Sequence, residues 1–155
     1  MANIKFMKIN LKYYRQTKDY SCGPACLKMI FEYFGKKYPE QKLINLCQAN
    51  KKYGTSHKNL LRAIKKEKLK SHSKNKGCLQ DLIDCLNSHY LTIINYLEPS
   101  SNTGHYAIVI KYNKKNLILA DPLNGNNFII PWRELNKRWY NNNKTSKGWF
   151  VAVKK

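Results

Sequence analysis

Gln16-Thr17-Lys18-Asp19-Tyr20-Ser21-Cys22-Gly23-Pro24-Ala25-Cys26 is the stretch on which the reading of this chain turns. It describes a helix start carrying a thiol. Ser21 is an N-cap candidate, Cys22 opens the helix, and Pro24 falls in the first turn, where a missing N–H costs nothing. Cys22, Ala25, Cys26, Met29, Ile30 and Tyr33 then recur at helical spacing as far as Phe34, and Gly35 supplies a stop. The unpaired N–H groups of a helix N-terminus favour a thiolate, the reactive form of cysteine. Gly23 leaves room for another chain to approach closely.

Outward from this helix, the first half of the chain is helical. Pro39 and Glu40 open a second helix carrying Leu43, Leu46 and Cys47, and Ser56 can cap a third carrying Leu60, Leu61 and Ile64. A fourth runs from Leu79 to Asn87. The period then changes to that of strands over Tyr90 to Leu97, Tyr106 to Tyr112, Leu117 to Ala120, Phe128 to Ile130 and Trp149 to Val153. Asn113-Lys114-Lys115-Asn116 is a tight hairpin connection, and Asn124-Gly125 a second turn. Helices followed by an antiparallel sheet predict an α+β fold, the N-terminal helical half packed on the C-terminal sheet. The length of 155 residues fits one domain over 1–155.

Composition narrows the function. Five cysteines without a CxxC pair argue against a disulfide framework, and no His completes a close-spaced ligand pair with a Cys, so neither a metal nor another cofactor is expected. Cys26, Cys47 and Cys85 read as small buried hydrophobes, and His57, His72 and His89 as surface residues. No stretch approaches the ~20 apolar residues of a membrane span, and Met1 to Gln16 lack the pattern of a secretory signal. The expected location is the cytoplasm or the cytoplasmic face of a membrane. Lys and Arg number 29 against 9 Asp and Glu, a net charge of +20. The lysines are spread along the chain, and no nucleic-acid-binding signature accompanies them, which points to an acidic peptide partner over nucleic acid.

A cysteine nucleophile needs a base, and the base needs an orienting group. His105 stands at the entrance of Tyr106 to Ile110, and Asp121 at the exit of Leu117 to Ala120. A hairpin joins these strands, so both residues lie at one end of the sheet. With a plain two-residue turn Asp121 would sit opposite Ile108, so a bulge or twist is needed to bring the two side chains together. Gln16, just upstream of Cys22, can donate to an oxyanion alongside the Cys22 N–H.

Gln16, Cys22, His105 and Asp121, in this order and on these elements, resemble the double-glycine leader peptidases, papain-like cysteine peptidases that process bacteriocin precursors. The resemblance also rests on Cys22-Gly23-Pro24-Ala25, Gly104-His105-Tyr106-Ala107-Ile108-Val109 and Asp121-Pro122 with Gly125, Phe128 and Trp132 beyond it. Asp19 departs from it, with Tyr20 and Ser21 between it and the cysteine where the family often places an acid directly before. The resemblance implies that Cys22 is the nucleophile, His105 the base and acid, Asp121 its orienter and Gln16 the oxyanion donor. It implies cleavage after a Gly-Gly or Gly-Ala pair at the end of an amphipathic, often acidic leader helix. It also implies an association with an ABC exporter, either as an excised domain or as a stand-alone relative. Gly23, Gly104 and Tyr106 beside the reacting residues, and Tyr53, Leu60 and Ile64 around the third helix, are the expected substrate contacts. A papain-like acyl transferase and a non-catalytic leader-binding module are the competing readings.

Overall fold

The computed structural model describes residues 9–155, so the reading of the first eight residues lies outside it. Helix α1 (Cys22–Tyr33) buries Ala25, Cys26, Leu27, Ile30 and Phe31 completely. It stops where Gly35 turns to a φ of 93° and Lys36 N–H donates back to the Phe31 carbonyl. Then come α2 (Glu40–Leu46) and α3 (His57–Lys66), whose N-cap Ser56 accepts from Asn59 N–H. All three helices feed one core with Leu43, Leu60 and Ile64. Each fully buried aliphatic side chain of this kind contributes about 1.5–3 kcal/mol.

Among the described residues the sheet has six strands in the order β1-β6-β2-β3-β4-β5, every pairing antiparallel. Four strands fall near their expected positions: β2 (Leu91–Leu97), β3 (Gly104–Tyr112), β4 (Asn116–Asp121) and β6 (Phe150–Lys154). Strand β5 (Gly125–Pro131) starts earlier than expected, directly at the Asn124-Gly125 turn. Strand β1 (Lys70–Lys74) is an element the sequence pattern did not show. It is exposed along its whole length and exists through its pairing with β6.

The sheet is covered on both faces. Helices α1 to α3 lie against the side chains of Tyr106, Ile108 and Ile110, whereas α4 (Leu79–Asn87) and α5 (Trp132–Arg138) lie against Ala107, Val109 and Leu119. Strand β2 is therefore buried at every residue. The alternation of β3 sends His105 to the second face and Tyr106 to the first.

Candidate active site

Cys22 is the first residue of α1 and is 8% exposed, within reach of a peptide yet shielded from bulk water. Ser21 does not cap the helix as expected. Its Oγ accepts from Lys18 N–H and donates to the Lys18 carbonyl, closing the preceding turn on itself. Because Pro24 has no N–H to offer a cap, that exchange loses little. The Cys22 N–H is left without a partner among the described residues and stays available to a ligand. Gly23 keeps the helix start in place, since a Cβ there would lie 3.0 Å from Thr55 Oγ1 and 3.4 Å from Tyr106 Cδ2. Tyr106 OH donates to the Thr55 carbonyl, locking that flank. The other core thiols are no rivals, because burial raises the pKa of Cys26 and pushes that of Cys47 to about 12.

The hairpin brings His105 and Asp121 together. Between Val109 and Lys111 the register of β3 on β4 shifts by one residue, so Ile108 faces Ala120 in place of Asp121. That single extra residue moves Asp121 to the face His105 occupies. His105 Nε2 then donates to Asp121 Oδ1 at 2.7 Å, both side chains buried. Asp121 Oδ1 also accepts from the N–H groups of Leu123 and Asn124, while Oδ2 accepts from Tyr96 OH. With Nε2 so engaged, Nδ1 is the ring nitrogen left for Cys22.

Burial opposes charge on His105, but the hydrogen bond to Asp121 and the influence of the neighbouring Cys22 outweigh it and raise its pKa to about 10. Burial likewise works against the Asp121 carboxylate, and the bond to His105 together with that cation's charge holds its pKa below the usual value. The pair is thus imidazolium and carboxylate at neutral pH. A thiol set against an imidazole that can hold and release a proton can attack a carbonyl and release an amine.

Gln16 enters the site on a loop tied at both ends. Its N–H donates to the Pro122 carbonyl next to Asp121, and Thr17 donates from N–H and Oγ1 to Glu40 of α2. Its side-chain NH₂ donates to the Lys18 carbonyl at 2.9 Å and, at 3.3 Å, to that of Asp19. Gln16, Asp19, Cys22, Glu98, His105 and Leu123 line a cleft of about 230 Å³.

The remaining expected contacts divide. Gly104 borders the cleft, packed so tightly on Asn142 that a Cβ would lie 2.8 Å from its backbone nitrogen. Tyr106 and Gly23 form the other flank of Cys22. Leu60 and Ile64 have no exposed surface and are core residues, a correction to their expected role in binding. Tyr53 is 74% exposed and away from the cleft lining. His57 is also corrected: it is half-buried, stacked on Trp149 at 3.9 Å and bonded to Asn95, which in turn donates to the His105 carbonyl. Tyr96 and Glu98 escaped the sequence reading. Only the pairing of Tyr96 with His105 across β2 and β3 reveals the first.

Among the described residues no group of three or more His, Cys, Asp or Glu side chains could hold a metal ion, and no helix is long and apolar enough to cross a membrane. Against known families, residues 10–145 match the model of the peptidase C39 family. The chain belongs to that family. In sequence, this C39 chain is 28% identical over 128 residues to an uncharacterized protein of Methanothermobacter thermautotrophicus, covering 83% of this chain and 82% of the relative. A second uncharacterized protein, from Methanothermobacter marburgensis, is 28% identical over 111 residues, 72% of this chain and 71% of that one. In structure it is similar to the peptidase domain of Streptococcus ComA, a bi-functional ABC transporter of a quorum-sensing pathway, with a TM-score of 0.75 and 22% identity over 92% of this chain and 97% of that domain. A double-glycine motif protease from an AMS/PCAT transporter, solved with its leader peptide, gives a TM-score of 0.70 at 19% identity, covering 95% and 93%. A C39-like peptidase from Bacillus anthracis gives 0.72 at 16%, covering 94% and 96%. These neighbours share the papain-like α+β fold.

Proposed function

We propose that the chain is a cysteine peptidase that cuts a precursor after a Gly-Gly or Gly-Ala pair. The observation that carries this reading is the buried His105–Asp121 ion pair set against Cys22 at the open end of α1. The Cys22 thiolate attacks the scissile carbonyl. The oxyanion accepts from the Cys22 N–H and from the Gln16 NH₂ hydrogen now spent on the long 3.3 Å contact with Asp19. His105 gives its proton to the leaving amine, then takes one from the water that hydrolyses the thioester. Glycines suit the site because Gly23, Thr55 and Tyr106 crowd one flank of the thiol, leaving a slot that bulkier residues would block.

The precursor itself is read from charge. A chain of +20 attracts an acidic amphipathic leader, and the double-glycine neighbour with its bound leader supports that mode of recognition. Likeness in fold to peptidase domains of transporters supports work beside an ABC exporter, at the cytoplasmic face of a membrane. The full set of Cys22, His105 and Asp121 weighs against a module that only binds.

The experiment is mass spectrometry of precursor peptides incubated with the protein and with Cys22→Ala. A leader fragment ending in Gly-Gly, absent with Cys22→Ala while the peptide still binds, is the expected result. Cleavage surviving in Cys22→Ala would sink the assignment. Product mass also separates hydrolysis from transfer of the acyl group to an amine.

A further inference from the structure

The cleft beside Cys22 is bordered by carboxylates, whereas the molecule as a whole is rich in lysine. Basic residues outnumber acidic ones by 29 to 9, yet among the described residues no Lys or Arg lines this cleft, whereas Asp19 and Glu98 do. The two carboxylates differ in what they have left to give. Glu98 is buried and saturated: Ser100 and Ser101 each donate to it from both N–H and Oγ, fixing the loop that forms the cleft wall. Asp19 is exposed. Of the nine acidic side chains, eight have a hydrogen-bonded or ionic partner, from Glu67 with Lys36 to Glu134 with Arg138. The Asp19 carboxylate has none among the described residues. In so basic a chain, Asp19 is an acid without a cationic partner among the described residues, and it borders the cleft that holds the thiol. A second acceptor lies on a residue of the same lining: Gln16 Oε1 is buried and has no donor among the described residues.

Chemistry fixes which part of a substrate meets Asp19. The leaving amine takes its proton from His105, so the leaving group lies on the His105 side of Cys22. The cleft containing His105, Gln16 and Asp19 is that side. The other flank of Cys22, where Gly23 packs on Thr55 and Tyr106 on the other face of β3, is left for the acyl half. The volume of about 230 Å³ falls below the ~300–1,000 Å³ of compact small-molecule sites and suits a side chain with its backbone.

We propose that Asp19 determines specificity on the leaving-group side, binding a Lys or Arg side chain in the first two residues after the scissile bond. This rests on the peptidase reading above. It makes the substrate bipolar: an acidic leader held by the basic surface, and a basic residue at the start of the released peptide held in the acidic cleft. The overall field works against a cationic peptide, so a preference for one has to arise locally.

The test uses peptides with one neutral leader half ending in Gly-Gly, followed by Lys, Ala or Glu in the first two positions. They are assayed for kcat/KM with the wild-type, Asp19→Asn and Asp19→Lys proteins, and for binding by fluorescence anisotropy with Cys22→Ala and Cys22→Ala/Asp19→Asn. The expected result is about a tenfold preference for Lys over Glu, shrinking to about twofold or less in Asp19→Asn and inverting in Asp19→Lys. Cleavage without discrimination, or a Lys preference unchanged in Asp19→Asn, overturns the proposal and leaves the peptidase reading standing. If no peptide is cut but Cys22→Ala binds the Lys peptide better and loses this with Asp19→Asn, the subsite holds and the peptidase reading falls. Equal binding of all three without cleavage overturns both.

Discussion

Replacing Asp121 by Asn is the sharpest probe of the site, because it removes a charge and little else. The Asn oxygen can keep the bonds from His105 Nε2, Leu123 N–H and Asn124 N–H, and its NH₂ can face the Tyr96 oxygen in place of Oδ2. The pKa of His105 stands near 10 because Asp121 and Cys22 outweigh its burial. Without the carboxylate, burial acts with less opposition and the imidazolium weakens toward the ordinary value of about 6.5 or below. The sign follows: activity needing the imidazolium persists to about pH 10 in the wild type and is lost at much lower pH in the variant. If the alkaline limb of kcat/KM moves to about 7, then at about pH 9 the protonated fraction falls roughly a hundredfold, while at about pH 6 it barely changes. Iodoacetamide alkylation of Cys22 gives the same profile without any substrate. Stability follows the same linkage. The raised His105 pKa stabilises the fold fully below about pH 6.5, and this contribution is lost as pH rises through about 10. The variant forfeits it, at about 3–5 kcal/mol for breaking a buried pair, on the order of 10 °C in Tm. An alkaline limb that stays in place in Asp121→Asn, with the protein folded, would refute the account.

Three further outcomes follow from neighbouring contacts. Tyr96→Phe removes the donor to Asp121 Oδ2 and leaves the shape; kcat should fall about threefold to tenfold with KM unchanged, and the alkaline limb should move upward as the carboxylate turns more basic, so a change in KM alone would count against a positioning role. Gly23→Val puts a branched side chain where even a Cβ lies 3.0 Å from Thr55; the expectation is at least a tenfold loss in kcat/KM and a lower Tm by thermal melt, against Thr55→Ala/Gly23→Ala as a double variant that restores room. Glu98→Gln keeps the volume but weakens the bonds from Ser100 and Ser101, and hydrogen exchange in that loop should accelerate while the rest of β2 and β3 stays protected.

Much of the fold was legible because its signals are local. The helical spacing after Cys22, Gly35 as a stop, Ser56 as a cap and the Asn124-Gly125 turn each depend on a few residues in a row, and each is found. What escaped depends on partners distant in the chain. Strand β1 reads Lys-Ser-His-Ser-Lys, without a branched or aromatic residue, and is a strand only because β6 offers it an edge. Helix α5 follows β5 without a break and is too short to show a helical period of its own, and its Trp132 is seated in the second core. His57 looked like a surface residue because nothing near it in sequence says that Trp149 and Asn95 will cover it. Ser21 looked like a cap because its type fits one, whereas the turn it closes with Lys18 lies one step earlier.

The His105–Asp121 pair shows where that boundary runs. Residue types and the hairpin put His105 and Asp121 at one end of the sheet, but strand alternation alone would have sent them to opposite faces, because a plain turn pairs Asp121 with Ile108. Ile110 decides the matter. It is the extra residue between Val109 and Lys111, and by moving the partner of Ala120 to Ile108 it turns Asp121 toward the face that already holds His105 and Tyr96. A bulge has no residue signature of its own, so it can be inferred from sequence only as the condition under which two chemically matched residues meet. Its presence strengthens the case for chemistry at this site: an irregularity in the middle of an otherwise regular hairpin interrupts a ladder, and what it secures in return is a carboxylate within 2.7 Å of an imidazole. A hairpin serving only to fill the core had no use for that shift, since Leu117 and Leu119 reach the second core on either side of it.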